Sequence, residues 1–288
     1  MEDIFDLQDQ ITDKVVGIVE PSLQRSEIER SRRKRPENLD AYDLYLRALP
    51  YMGSGMPPEA RIAAALLQDA LKLDPDYAAA HALLSWCHER CYMRGGFNEA
   101  DKVAGLRHAR AAIASGTDDA TTLAVGGLVI MLLGRDRETA LSAIQHALLL
   151  NPSCATALYL AAPVYAFAGR SIEAVTCADR ALRLSPFDLL AHQGHQARLM
   201  AAIQDARFDD AALHAARMVH ANPGMSTDHF CLAISLALAG RLEEARPWVR
   251  RGLELEPGFR MRIFRELGTP QINLDRVLEG GRLLGLME

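Results

Sequence analysis

The alternation of apolar and polar positions is clearest between residues 151 and 186, NPSCATALYLAAPVYAFAGRSIEAVTCADRALRLSP. Asn151-Pro152 opens the stretch, and a residue before proline is driven out of helical dihedrals. A run of small and apolar residues from Ala155 to Phe167 then predicts one helix, and Ile172 to Leu184 predicts a second. Gly169-Arg170 separates them, because glycine reaches the left-handed conformation that ends a helix at little cost. Ala162 on the first helix, and Ala174 and Ala181 on the second, are small where two antiparallel helices must approach closely. Ser185-Pro186 closes the unit, and Pro152 to Pro186 is 34 residues, a period at which helix-turn-helix units stack into arrays.

The pattern recurs along the chain. A first hairpin pairs Ala41 to Tyr51 with Glu59 to Leu73 and closes at Asp74-Pro75. A second pairs Tyr77 to Tyr92 with Asn98 to Ser115, with Gly95-Gly96 lengthening its turn. A third pairs Ala120 to Leu133 with Glu138 to Leu150, with Gly134 expected at the turn. The stretch above is the fourth. A fifth pairs Leu189 to Ile203 with Asp209 to His220, a longer unit of 37 residues from Pro186 to Pro223. A sixth pairs Thr227 to Ala239 with Leu242 to Leu255 and returns to 34 residues at Pro257. Ahead of the hairpins, the apolar spacing over Asp3 to Val19 predicts an amphipathic helix; a basic run, Arg30 to Arg35, follows it. Behind them, Phe259 to Leu267 and the apolar positions Leu274, Val277, Leu278 and Leu284 predict two helices suited to cover an open end. The expected organisation is residues 1–38 as an N-terminal helix and linker, the remnant of an upstream domain, 39–257 as the array, and 258–288 as capping helices.

These residues resemble the tetratricopeptide repeat (TPR) family, which implies an all-α, right-handed α-solenoid of about six helix-turn-helix repeats with flanking helices. The run DIFDLQDQITDKVVGIVEPSLQRSEIERSRRKRPENLDAYDLYLRA is similar to the join between a TolB-like segment and the TPR array in bacterial class III adenylate/guanylate cyclase-like proteins. A similar join precedes TPR arrays in regulators with a winged-helix DNA-binding domain. The resemblance spans Asp3 to Met287 but only the non-catalytic part: class III cyclases carry metal-binding aspartates on a ferredoxin-like sheet, and no strand-rich segment is present. It implies a protein-interaction or regulatory module of a signalling protein whose active or DNA-binding domain lies outside this chain.

In a TPR array, set positions of each first helix line the concave face. Here the resemblance assigns them to Thr121, Ala124, Leu128, Met131 and Leu132 in the third repeat, and to Thr156, Tyr159 and Phe167 in the fourth. Thr227, Phe230, Ile234 and Leu238 are the counterparts in the sixth. None is Lys, Arg or Asn, the residues with which TPR proteins clamp a carboxylate. An apolar groove expects an apolar helix, from a protein or peptide partner or from the chain itself. The N-terminal helix is expected to cover it, in its own chain or as a homodimer with a second copy.

Composition narrows the function. Apolar residues are 49% and aromatics 6%, so Ala and Leu build the core, as close-packed helices require. A net charge of -5 gives no general attraction to nucleic acid, and no apolar run reaches the ~20 residues of a membrane span. Five cysteines without framework spacing suggest reduced thiols in a cytoplasm. Cys87-His88-x-x-Cys91 has chelating spacing but too few ligands for structural zinc, and reads as core. His192-x-x-His195, with His214 and His220, reads as packing between paired helices. No catalytic residue, metal or cofactor site is expected.

Overall fold

The computed structural model describes residues 26–35, 39–53 and 55–286. The amphipathic helix expected over Asp3 to Val19 lies outside them. Helix α1 (26–33) leads into α2 (Ala41–Ala48), which a 3-10 turn (Leu49–Met52) connects to α3 (Pro57–Leu73). Five more hairpins follow: α4 (Ala78–Arg94) with α5 (Glu99–Ser115), α6 (Ala120–Val129) with α7 (Arg137–Leu150), α8 (Ala155–Phe167) with α9 (Ser171–Leu184), α10 (Ala191–Gln204) with α11 (Phe208–Ala221), and α12 (Ser226–Leu238) with α13 (Leu242–Leu255). Each packs on its neighbours in order, and the described residues contain no strand. This is the all-α solenoid of six hairpins that the periodicity implied.

Local chemistry sets the joints. Asp74, Asn151, Ser185, Asn222 and Glu256 each precede a proline, leave helical dihedrals, and donate a last amide hydrogen bond to the carbonyl four residues back. Starts are capped where the sequence supplies an acceptor: Asp40 and Asp43 form a capping box on α2, and Asn98, Asp119 and Asp136 cap α5, α6 and α7.

First and second helices differ in burial. Every residue of α8 from Ala157 to Phe167, and of α12 from Ser226 to Ala237, is buried. Helix α9 buries only Ala174, Cys177, Ala178 and Ala181. One contact position, Ala147, Ala181, Met218 and Gly252 in successive second helices, is buried in every case. At Gly252 the ring of Phe230 fills the space, and a Cβ would stand 2.7 Å from its Cζ.

One turn corrects the sequence reading. In the fourth and sixth hairpins Gly169 and Gly240 hold the left-handed position at φ +79°, and in the fifth Ala206 holds it at +58°. In the third it is held not by Gly134 but by Arg135, at +54°. The reason is a π-helical turn over Ile130–Gly134, which takes up one residue and moves the next out of step.

The array coils until its ends meet. Asn222 Nδ2 donates to the Gly53 carbonyl at 3.0 Å, and the Met225 side chain fills the space a Cβ on Gly55 would need. At the entrance, Arg47 donates to the Ser31 and Lys34 carbonyls, and Lys34 pairs with buried Asp43. The basic run is thus partly tied down at its C-terminal end.

The C-terminal segment does not extend the stack. Helices α14 (Arg262–Glu266) and α15 (Gln271–Leu283) turn back along the first helices, α15 against α10 and α12 and α14 against α4. Asn273 donates to the Met200 carbonyl at 2.9 Å, and Arg276 donates to those of Ile203 and Gln204, capping α10. Helix α13 buries only Ala245 and Gly252, so its outer face is polar and needs little cover. The C-terminal segment instead covers part of α10 and α12.

Two substitutions test this register by chemical denaturation. Ala206→Gly relieves a left-handed alanine and should stabilise by about 0.5–1 kcal/mol. Ala181→Leu overfills a closed helix contact and should destabilise by ~1–3 kcal/mol. Shifts of the same sign would contradict the assignment.

Candidate functional site

The first helices converge on the axis of the coil, where they enclose a small chamber of about 40 Å³. Leu128 and Leu132 of α6 and Pro163 and Phe167 of α8 make its apolar wall. The opposite wall is polar: Glu89, Arg90 and Arg94 of α4, His192, Gln193 and Gln196 of α10, and Thr227 and Asp228 of α12. Leu267 closes it. That volume has room for a few water molecules and nothing larger.

The chamber's charges are buried and held in place. Arg90, 2% exposed, donates to the Met52 carbonyl and lies 4.5 Å over the Trp86 ring. Burial pushes its guanidinium down to about 10, against the opposing pull of Glu89. Burial likewise raises the Glu89 carboxyl, with Arg94 and Arg90 opposing. Arg94 donates to Thr227 Oγ1 at 3.3 Å, and His192 Nδ1 stands 3.5 Å from Asp228 Oδ2, which has no hydrogen-bond partner. Burying Glu89, Arg90 and Asp228 costs more than their attraction returns unless geometry is good. What they supply is register, because Arg90 and Arg94 reach from the second hairpin to the first and the sixth.

Of the predicted groove residues, Leu128, Leu132, Phe167 and Thr227 line the chamber, and most of the others are core and not an open surface. Ala124, Leu128, Met131, Leu132, Tyr159, Phe167, Thr227, Phe230 and Ile234 are buried, and Thr121, Thr156 and Leu238 are half-buried. The cover comes from the chain's own C-terminal segment. Phe259 stacks on Phe230 with ring centroids 3.5 Å apart, and a Cβ on Gly280 would meet Ile234 Cγ2 at 2.8 Å. The second and fifth repeats, whose first helices supply most of the polar wall, were not among those the sequence assigned to the groove; Thr227 of the sixth was. Their charges sit on helices whose burial no local pattern announces.

A second, larger cavity of about 440 Å³ opens beside the chamber, with Phe167 and Leu267 lining both. Arg135 and Arg137 from the third hairpin face Arg265, Gly268, Thr269, Pro270 and Gln271 from the C-terminal segment across it. Arg135 Nη2 donates to the Arg265 carbonyl at 2.6 Å, which joins the two sides.

Among the cysteines and histidines, all five cysteines are buried and none is in a disulfide, and the Cys87 Sγ lies 3.6 Å from Met52 Sδ. Burial pushes the Cys87 thiol up to about 12, the behaviour of core and not of a nucleophile. His192 lines the chamber, His220 is exposed, and His195 and His214 stack between α10 and α11 with centroids 6.0 Å apart. Among the described residues no three of His, Cys, Asp and Glu are grouped to hold a metal ion.

No family model matches the chain. Over 85 residues it is 34% identical to putative adenylate cyclase 3 of Rhizobium meliloti, covering 30% of this chain and 14% of that protein. Among solved structures, the human IFIT1 dimer with m7Gppp-AAAA is similar at a TM-score of 0.63 and 18% identity, over 87% of this chain and 60% of that one. The hetero-tetramer Cut9-Hcn1 of APC/C is similar at a TM-score of 0.56 and 12% identity, over 90% and 46%. The chain spans less than two thirds of each of these relatives, and identities this low speak to fold alone.

The histidine stack predicts an acid-sensitive fold. Burial first pushes His195 and His214 down to about 4, below the ordinary 6.5, helped at His195 by His214 and nearby arginines and at His214 by Arg198 and Arg217. A depressed histidine favours the neutral form when folded, so its stabilisation is present above pH 6.5 and is lost as pH falls toward 4. Replacing both by Gln should flatten the fall in stability across that window by roughly 1–2 kcal/mol, read from denaturation midpoints at several pH values. An unchanged slope would contradict this.

Proposed function

We propose that this chain, a tetratricopeptide solenoid like its structural neighbours, is a regulatory protein-interaction module whose groove is held by its own C-terminal segment until a partner helix takes its place. The observation that carries the reading is the close approach of α15 to α12, where Gly280 packs against Ile234, an apolar helix-on-helix contact of the kind such an array offers a ligand. The polar tethers, Asn273 and Arg276 on carbonyls of α10, are exchangeable with water, which suits a segment that must leave. A protein partner fits better than nucleic acid: the chamber is a few waters in size and includes Glu89 and Asp228 in its wall. The oligonucleotide belongs to the IFIT1 structure and not to this chain. Buried cysteines outside any disulfide favour a reducing compartment such as the cytoplasm, and among the described residues no helix is long and apolar enough to cross a membrane.

The match to the putative adenylate cyclase supports a second element, that the module is the non-catalytic part of a signalling protein. The purified chain is then expected to make no cyclic nucleotide from ATP or GTP with Mg²⁺ or Mn²⁺. Turnover abolished by changing an acidic residue of this chain would overturn that.

Gly280→Val in the full chain tests the covered groove, since its side chain cannot fit against Ile234; Arg276→Ala, which only removes tethers, is a milder second variant. Both should raise binding of a hydrophobic dye and allow a labelled peptide of residues 259–284 to bind in trans, which the unmodified chain should not. Folded variants that bind neither dye nor peptide would refute the reading.

A further inference from the structure

We propose that the cleft between the third hairpin turn and the α14–α15 connection is a binding site for a small organic phosphate with an apolar or aromatic group. Its volume, about 440 Å³, lies in the range of small-molecule pockets. Three guanidinium groups, Arg135, Arg137 and Arg265, line it from both sides, in a chain whose net charge is -5. Arginine side chains on both walls suit the several oxygens of a tetrahedral dianion better than a single carboxylate. Helix α15 begins at the same wall, behind Pro270, with no side-chain cap, so its positive end adds to the attraction.

The acids nearby are already engaged. Glu266 accepts from Arg262 at 3.1 Å and from the Tyr92 hydroxyl at 3.2 Å, with Arg135 farther off at 3.8 Å. Asp136 is committed to capping α7 through both the amide and the hydroxyl of Thr139, which holds its carboxyl below the usual range. The floor is apolar, made by Met131, Phe167 and Leu274, which is why an organic phosphate fits and a bare ion uses only half the site.

The backbone supports the assignment. Arg135 sits at φ +54°, a conformation that side-chain-bearing residues avoid, and the π-helical turn before it puts it there in place of Gly134. The left-handed turn is common to the hairpins, but only in the third does it place an arginine, whose side chain then lines the cleft. A ligand held by Arg137 on one side and Arg265 on the other would also clamp the C-terminal segment shut. The site itself does not depend on the groove reading, because it is complete while that segment is in place.

Calorimetric titration of the full chain at low salt tests it, with phenyl phosphate, inorganic phosphate, phenol and an aspartate-rich peptide as probes. Phenyl phosphate should bind saturably, inorganic phosphate about tenfold more weakly, and phenol not at all. Arg137→Ala and Arg265→Ala should each weaken phenyl phosphate about tenfold with little change in melting, and added salt should weaken it further. Absence of saturable binding, or equal binding by folded arginine variants, overturns the site. Equal affinity for inorganic phosphate overturns the organic ligand, and tighter binding of the peptide overturns the small molecule. None of these results bears on whether Gly280→Val uncovers the groove, so the two readings stand or fall separately.

Discussion

A helix whose residues are buried on nearly every side has to be covered on every side, and this requirement in α6, α8 and α12 governs the molecule. Each second helix covers one flank and keeps its other face in water, so it needs only a narrow stripe of small residues. The neighbouring hairpins cover the next flanks. What remains is the face toward the coil axis, which no second helix can reach. Apolar area left there is worth roughly 25 cal/mol per Å² when removed from water. Coiling brings the first helices toward one another, and the C-terminal segment covers part of the remainder, with α15 drawn close to α12 at Gly280.

The polar wall has a different role. Arg90 reaches the first hairpin at Met52, Arg94 reaches the sixth at Thr227, and His192 of the fifth stands beside Asp228 of the sixth. Apolar packing alone tolerates sliding, whereas directional bonds across the axis accept one pitch of the coil. A buried charge left without its partner is costly, which ties these hairpins to a single arrangement.

The third hairpin departs from its neighbours in a way that carries chemistry. One residue absorbed by the π-helical turn converts an ordinary glycine bend into a left-handed arginine, which then bridges to the C-terminal segment. The same segment therefore forms one wall of both cavities, closed against the chamber at Leu267 and open toward the arginines.

What the sequence by itself determined was the local architecture. Proline and glycine punctuation at 34-residue spacing, and small residues such as Ala174 and Ala181 on one stripe, depend on helix geometry that a few neighbouring residues specify. Resemblance to the repeat family added a set of first-helix positions, of which Leu128, Leu132, Phe167 and Thr227 line the chamber. Only the tertiary structure decided whether those positions faced a partner, water or the chain itself, since that depends on the pitch of the coil and on where residues far along the chain return. Phe259 and Gly280 carry no local mark of their target, and Glu89, Arg90 and Asp228 look in sequence like ordinary solvated charges. The π-helical turn was likewise hidden: Gly134-Arg135 reads like Gly169-Arg170, and one inserted residue spread through a helix leaves no punctuation of its own. Local rules act over a turn or two of helix, whereas closure of the coil is settled by contacts between hairpins more than a hundred residues apart.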